Sequence, residues 1–249
     1  MFSSIGDILA LLALQDWEAF RSTVLSNPDS FRNIASAVLA CSQLNGMTIL
    51  HTTVRFNPPL DIVAQIIKLC PDMPAAKDCL NRTPLHVAAG SKASASLLKL
   101  LADAFPAACD VQDEEGKTPL HFACDSSCIL FEDDDDDDDD DDDKNDTSKQ
   151  PPNHESVAAL LSYSIHAATL EDDEEMNPLE HAIMSNASFN TVRLLQNETI
   201  KAMELKAGSK SLITATKRSR AQEDETRNNS DCVFSSRPHK KKSRKISLD

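Results

Sequence analysis

The sequence has 249 residues and 41% of them are hydrophobic, so the chain is long enough to bury the core of one large or two small domains. This composition excludes a chain that is disordered throughout. The formal net charge of -15 is unevenly spread: residues 1–200 have 12 Lys and Arg against 34 Asp and Glu, whereas residues 201–249 have 13 against 6. An acidic body is therefore joined to a basic tail.

The apolar runs and the cysteine spacing argue against a membrane-spanning, a secreted and a metal-binding protein. The longest apolar run, Ile8 to Leu14, is far too short to span a bilayer, and no basic segment precedes it. We therefore expect an intracellular chain with no membrane contact and no secretory leader. None of the seven cysteines forms a CxxC pair, which favours a reducing compartment and predicts no metal site and no cofactor.

The first predicted elements lie ahead of any repeated motif. Residues 5–14 and 16–25 have apolar side chains at helical spacing and make a plausible helix pair. The segment 5–30 is interpreted as an N-terminal cap, because the terminal unit of a repeat array covers its neighbours on one side only.

A sequence motif then recurs with a period of 35 residues. The segment Thr83–Ala88 reads TPLHVA, Thr118–Ala123 reads TPLHFA, and Thr48–His51 reads TILH. Thr favours the N-cap position of a helix, Pro favours the first helical position, and Leu begins the buried face, so each motif opens a short helix. The motif positions are Thr48, His51, Thr83, Pro84, Leu85, His86, Thr118, Pro119, Leu120 and His121.

Each motif is followed by a second run of apolar residues at helical spacing. These predicted second helices are Leu60–Cys70, Ala93–Phe105, Glu155–Ser164 and Asn190–Asn197. Polar turn sequences such as Asp110–Lys117 connect the units. The chain is therefore predicted to be all-α and built from stacked helix pairs.

These motifs resemble the ankyrin repeat, whose T-P-L-H-x-A signature two units match in full. The resemblance implies an α-solenoid over residues 1–200, with repeats that start near 48, 83, 118 and 177. The unit at Asn177 begins 24 residues late, and the acidic insertion 132–153 accounts for the excess. It departs from the signature at Asn177 and Glu180, which is expected of a capping repeat.

The histidines are the first candidates for chemistry. A stack of histidines can indicate a metal site, but neighbouring repeats place successive copies about 10 Å apart, beyond the reach of a shared ion. The resemblance implies that they are structural. The sequence has no nucleophile elbow, zinc-protease or phosphate-loop motif, so no enzyme is predicted.

The polar turns are the candidate binding surface, because the resemblance implies that hairpin tips and the concave face of the first helices bind a protein partner. Acidic tips predict a basic partner, although they are equally the ordinary residues of a solvated turn. The predicted tip residues are Asp113, Glu114, Glu115, Lys117, Asp172, Asp173, Glu174 and Glu175.

Two charged segments carry further hypotheses. Glu132 and the eleven aspartates that follow it are predicted to form a solvated loop. Four interpretations of this loop stay open. It binds basic proteins, binds divalent ions weakly, binds the basic tail of the same chain, or is a low-complexity expansion without function. Residues 205–249 have too few apolar side chains to bury and are predicted to be disordered.

The tail resembles a nuclear import signal, which implies an import receptor as a partner and a nuclear or nucleo-cytoplasmic location. The predicted function is a non-catalytic scaffold or adaptor. The alternative is a charge-driven factor that acts on chromatin or nucleic acid through the acidic block and the tail. The residues of the predicted import signal are Lys240, Lys241, Lys242, Arg244 and Lys245.

Overall fold

A computed structural model describes residues 5–39, 44–127 and 150–207, and in these ranges the chain contains helices and no strand. In chain order the helices are α1 (Ile5–Ala13), α2 (Trp17–Ser26), α3 (Pro28–Leu39), α4 (Ile49–Val54), α5 (Leu60–Leu69), α6 (Pro84–Gly90), α7 (Ala95–Ala104), α8 (Pro119–Cys124), α9 (His154–Tyr163), α10 (Pro178–Met184) and α11, which covers residues 189–207.

From residue 48 onward, short first helices alternate with longer second helices. α4, α6, α8 and α10 pack side by side in one layer, and α5, α7 and α9 pack side by side in the other. In α11, the Thr199 hydroxyl donates a 3.4 Å hydrogen bond to the Ala168 carbonyl, which follows α9. The predicted all-α solenoid of stacked helix pairs is therefore confirmed.

The first helices begin and end where the motif predicts. Thr48, Thr83 and Thr118 are N-caps in extended conformation, and Pro occupies the first helical position of α6 and α8. The turn to the second helix contains a left-handed residue, Lys92 (φ 55°) after α6 and Asn186 (φ 52°) after α10. Left-handed residues end a helix, which explains why α6 and α10 are only seven residues long.

One continuous core joins the units from Ile8 to Leu195. Positions that share a place in the period share their burial: Ile66, Leu101 and Leu195, each 18 residues after an N-cap, are at most 2% exposed. Burying one such side chain stabilises the fold by about 1.5–3 kcal/mol. Each repeat therefore depends on its neighbour to cover its apolar side.

The N-terminal segment contains one helix that the sequence interpretation missed. α1 and α2 form the predicted pair, but α3 follows, and no helix was predicted there. The Asn27 side chain accepts a 3.0 Å hydrogen bond from the Ser30 N–H at its start, and Phe31 is buried. Apolar residues at helical spacing continue beyond residue 30, so the N-terminal helices extend past the end of the predicted cap.

The acidic insertion interrupts the third unit between its two helices. α8 and α9 nevertheless pack directly against each other, and the described chain stops at Ser127 and resumes at residue 150. The acidic block 132–143 lies outside the described residues. At the end of the predicted insertion, Asn153 caps α9 by accepting a 2.9 Å hydrogen bond from the Glu155 N–H.

The chain divides into two units, Met1–Met203 and Glu204–Asp249. In the second unit the described residues are 204–207, and they are helical. The predicted disordered tail thus begins with three helical residues, 205–207. The rest of the predicted tail, including the import signal, lies outside the described residues.

Candidate protein-binding surface

A buried or half-buried aspartate organises each turn that connects two repeats. The Asp113 carboxylate accepts hydrogen bonds from the Glu115 and Lys117 N–H groups, at 3.0 and 2.8 Å. The Asp113 N–H in turn donates to the Lys117 carbonyl at 3.0 Å. Asp78 and Asp172 make the same contacts in their turns. We call these turns fingers two (78–82), three (113–117) and four (172–176).

Each finger contains a left-handed residue at the same position. Gly116 has φ 73°, and Asn81 and Glu175 both have φ 60°. A Cβ on Gly116 would lie 3.0 Å from the Asp172 Cα and from the Asp173 nitrogen. Glycine suits this left-handed position, and its missing Cβ leaves room for the close approach of finger four.

Backbone hydrogen bonds join the fingers into a ladder. The Glu114 N–H donates to the Leu80 carbonyl, and the Asp173 N–H donates to the Glu115 carbonyl, both at 3.0 Å. The Gln112 side-chain amide adds a bridge, because it donates to the carbonyls of Gly116 and Glu171. Fingers three and four are thus held together even though the acidic insertion separates their repeats in sequence.

The repeated histidines join each first helix to the next repeat. The Thr83 N–H donates to His86 Nδ1 at 3.0 Å, so Nδ1 carries no proton and Nε2–H donates to the Val111 carbonyl at 3.1 Å. His51 and His121 make the same pair of contacts, reaching the carbonyls of Arg82 and Met176. All three histidines are 0% exposed.

Burial disfavours the charged form of these histidines. It lowers the pKa of His86 to about 3 and that of His51 to about 4. The pKa of His121 is lowered to about 4, by burial and by the neighbouring His181. The geometry therefore uses the histidines as neutral hydrogen-bonding links between repeats.

The finger geometry and the histidine links repeat over the stretch that a family comparison also finds. The family model for ankyrin repeats matches residues 50–131 in three copies, which is about a third of the chain. Residues 50–131 therefore form ankyrin repeats. No curated protein matches it in a sequence search.

The unit at Asn177 lies outside that match but has ankyrin repeat geometry. The Asn177 side chain accepts hydrogen bonds from the Leu179 and Glu180 N–H groups, and the Glu180 carboxylate accepts from the Asn177 N–H at 2.8 Å. This reciprocal capping box replaces the Thr–His pair of the other repeats. The two departures from the signature thus compensate each other.

The predicted tip residues fall into two groups. Glu114, Glu115, Asp173, Glu174 and Glu175 are exposed. The other three point into the fingers: Asp113 is half-buried, Asp172 is 6% exposed, and half-buried Lys117 pairs with Glu115 at 3.0 Å. The carboxylates of Asp113 and Asp172 hold the turns, and the five exposed carboxylates are the ones that face solvent.

Asp172 has a second role that the sequence did not reveal. Its Oδ2 lies 2.7 Å from His181 Nε2, and His181 Nδ1 lies 3.9 Å from Asp125 Oδ2. Burial opposes ionisation of Asp172, but the hydrogen bonds from His181 and from the Met176 and Glu174 N–H groups outweigh it and lower its pKa. Finger four is therefore tied to α10.

A polar groove of about 360 Å³ lies beside this cluster, between the third and fourth repeats. Two methionines and three serines line it together with charged residues of finger three, finger four and the end of α8. The lining residues are Lys117, Asp125, Ser126, Ser127, Glu174, Met176, His181, Met184 and Ser185.

The predicted concave helical face is closed over the central repeats. Every residue of α6 and of α8 is buried, including Ala88, Gly90 and Phe122. Lys92 closes the end of this layer, since its ammonium donates to the carbonyls of Phe122 and Asp125 at the C-terminus of α8. Over these two repeats the first helices therefore present no exposed side chain.

Ankyrin repeat domains are typically non-catalytic interaction modules. Among the described residues, no three His, Cys, Asp or Glu side chains form a group that could hold a metal ion. No helix in the described ranges is long and apolar enough to cross a membrane.

Proposed function

We propose that this chain is a non-catalytic scaffold that binds the basic surface of a protein partner through fingers three and four. The observation that carries the proposal is the set of five exposed carboxylates on two fingers that hydrogen bonds hold together. A preorganised acidic surface attracts a basic partner and increases its association rate and specificity. Because the ladder fixes the backbone, little conformational entropy is lost on binding.

The groove extends this surface toward the helices. Glu174 belongs both to finger four and to the groove, and Met176 and Met184 offer apolar surface next to it. A partner lysine or arginine can lay its aliphatic stem along the methionines while its charge faces the carboxylate. We propose that an extended basic segment binds here, with the fingers on one side and the end of α10 on the other.

Charge reversal on finger four tests the proposal. We expect the variant Asp173→Lys/Glu174→Lys to lose binding of a dye-labelled Lys/Arg-rich peptide and of the partners captured from extract. Both side chains are exposed, so the fold stays intact. The matched control is Glu155→Lys, an exposed carboxylate on α9, away from the fingers. Equal binding by the finger variant and the control would refute the proposal.

A second candidate function rests on the sequence of the charged segments. The acidic block 132–143 and the tail, with 13 Lys and Arg against 6 Asp and Glu after residue 200, suit a charge-driven factor that acts on chromatin or nucleic acid. Salt and deletion discriminate between the two functions. Steeply salt-dependent binding that is lost without residues 133–143 or 240–245 supports this second candidate, and binding that depends on fingers three and four supports the scaffold.

We propose a nuclear or nucleo-cytoplasmic location from the same tail. The cluster Lys240–Lys245 contains five cations in six residues, as an import receptor requires. Replacing the five cations with alanine should move a fluorescent fusion of the full chain out of the nucleus. Replacing Lys217, Arg218 and Arg220 instead is the control for loss of positive charge.

A further inference from the structure

The fourth repeat exposes large apolar side chains at the C-terminal end of the solenoid. Ile183 and Met184 of α10 are 54% and 72% exposed, and Phe189, Ile200 and Met203 of α11 are 76%, 55% and 57% exposed. We call these five residues the end face. In the described part of α1 to α3, at the other end, Leu14 and Leu25 are the large apolar side chains with comparable exposure.

The end face continues the interface that joins the repeats inside the stack. Ile183 lies six residues after its N-cap, as Ala89 and Cys124 do in the two preceding repeats. Ala89 is 2% exposed and Cys124 is 0% exposed, because the following repeat packs on that side. Among the described residues no repeat follows α10 and α11, so the fourth repeat leaves in water a surface that its predecessors bury.

The composition of the end face is that of an interface centre. In a chain with 26% charged residues, the exposed positions of α11 from 189 to 200 include one charged side chain, Arg193, and the exposed charged residues Lys201, Glu204 and Lys206 follow at the end of the helix, as a rim does. The other exposed positions from 189 to 200 are Phe189, Asn190, Gln196, Asn197 and Ile200. Depletion of charge and enrichment of aromatic residues and methionine mark the centres of protein interfaces, whereas a capping repeat normally has a polar outer surface.

We propose that a second copy of this chain covers the end face, so that two solenoids join through their fourth repeats in a two-fold dimer. The five side chains leave roughly 500 Å² of apolar surface in water, which matches the apolar share of an interface that buries about 800 Å² per partner. A two-fold contact uses the same face on both copies and closes after two chains. Head-to-tail assembly would instead need an extended apolar face at α1 to α3, where Leu14 and Leu25 are isolated by comparison.

Light scattering of the full chain over a concentration series tests the dimer. We expect twice the monomer mass for the unmodified chain and monomers for Ile183→Lys and Phe189→Asp, neither of which lines the groove, with the dimer dissociation constant weakened roughly 100-fold or more, since each substitution occurs twice per interface. The matched control is Leu14→Asp, which changes an equally exposed leucine at the other end and should leave the dimer intact. Circular dichroism verifies that all variants fold.

Three results would overturn the proposal. The first is a monomer at every concentration, which would mean that something other than a second copy covers the end face. The second is a dimer that persists in Ile183→Lys and Phe189→Asp or is lost in Leu14→Asp. The third is assembly beyond two chains, because a two-fold contact cannot propagate.

Discussion

Acid should destabilise this protein through its buried histidines, and His86 is the one to change. In the native state the pKa of His86 is lowered to about 3 by burial, with its Nδ1 committed to the Thr83 N–H. In the unfolded chain its pKa returns to about 6.5. Between these values the unfolded state binds a proton that the native state does not, so stability is lost as the pH falls below about 6.5.

The size of the effect follows from these two pKa values. Near pH 5.5 one such histidine makes the free energy of unfolding fall by about 1.2 kcal/mol for each pH unit of acidification. From about pH 7 to about pH 4.5, His86 alone removes about 2.5 kcal/mol. His51 and His121, whose pKa values are lowered to about 4, contribute slopes of the same sign over the same range. Together they offset a large part of the 5–15 kcal/mol that stabilises a typical domain.

Urea unfolding at several pH values measures this slope. We expect His86→Gln to lower stability at neutral pH by about 1–2 kcal/mol, because its amide replaces the two hydrogen bonds imperfectly. The variant should also reduce the slope near pH 5.5 by about 1.2 kcal/mol per pH unit, since glutamine does not titrate. His166→Gln, at an exposed histidine, is the matched control and should follow the unmodified chain. An unchanged slope in His86→Gln would refute the assignment of a neutral buried histidine.

Two further substitutions test the ladder and the end of the first-helix layer. Gly116→Ala should lower the free energy of unfolding by about 1–3 kcal/mol, because alanine is strained at φ 73° and its Cβ would crowd finger four. Thermal melting measures this loss of stability. An unchanged melting temperature would contradict the close approach of finger four to Gly116. Lys92→Met keeps the apolar stem but removes the ammonium that donates to the carbonyls at the end of α8. We expect the free energy of unfolding, measured in urea, to fall by about 1 kcal/mol. An unchanged value would mean that water satisfies those carbonyls equally well.

Much of the fold could be predicted because ankyrin repeats repeat their local signals. The resemblance and the all-α solenoid are both confirmed. The N-cap threonines, the prolines that follow them and the apolar spacing predicted α4 to α10 to within a few residues. The last predicted helix, Asn190–Asn197, was too short, because α11 continues to residue 207. α3 was missed although its signals, Asn27 before Pro28 and apolar residues through Val38, are of the same local kind.

The candidate site was less predictable because exposure depends on neighbours. Asp113 and Asp172 have the same charge as Glu114 and Asp173 in the sequence, but the turn directs their carboxylates inward to backbone N–H groups. The pairing of Asp172 with His181 joins residues nine apart, and no local pattern distinguishes it from two independent polar residues.

Local sequence signals specify the repeating unit, since capping, turn formation and amphipathic spacing are properties of short segments that act before any packing. Which surfaces remain open depends on how the repeats pack against one another. The same position is buried as Cys124 in the third repeat and exposed as Ile183 in the fourth. The difference arises from whether another repeat packs beside it, because burial is a property of pairs of units rather than of one unit alone.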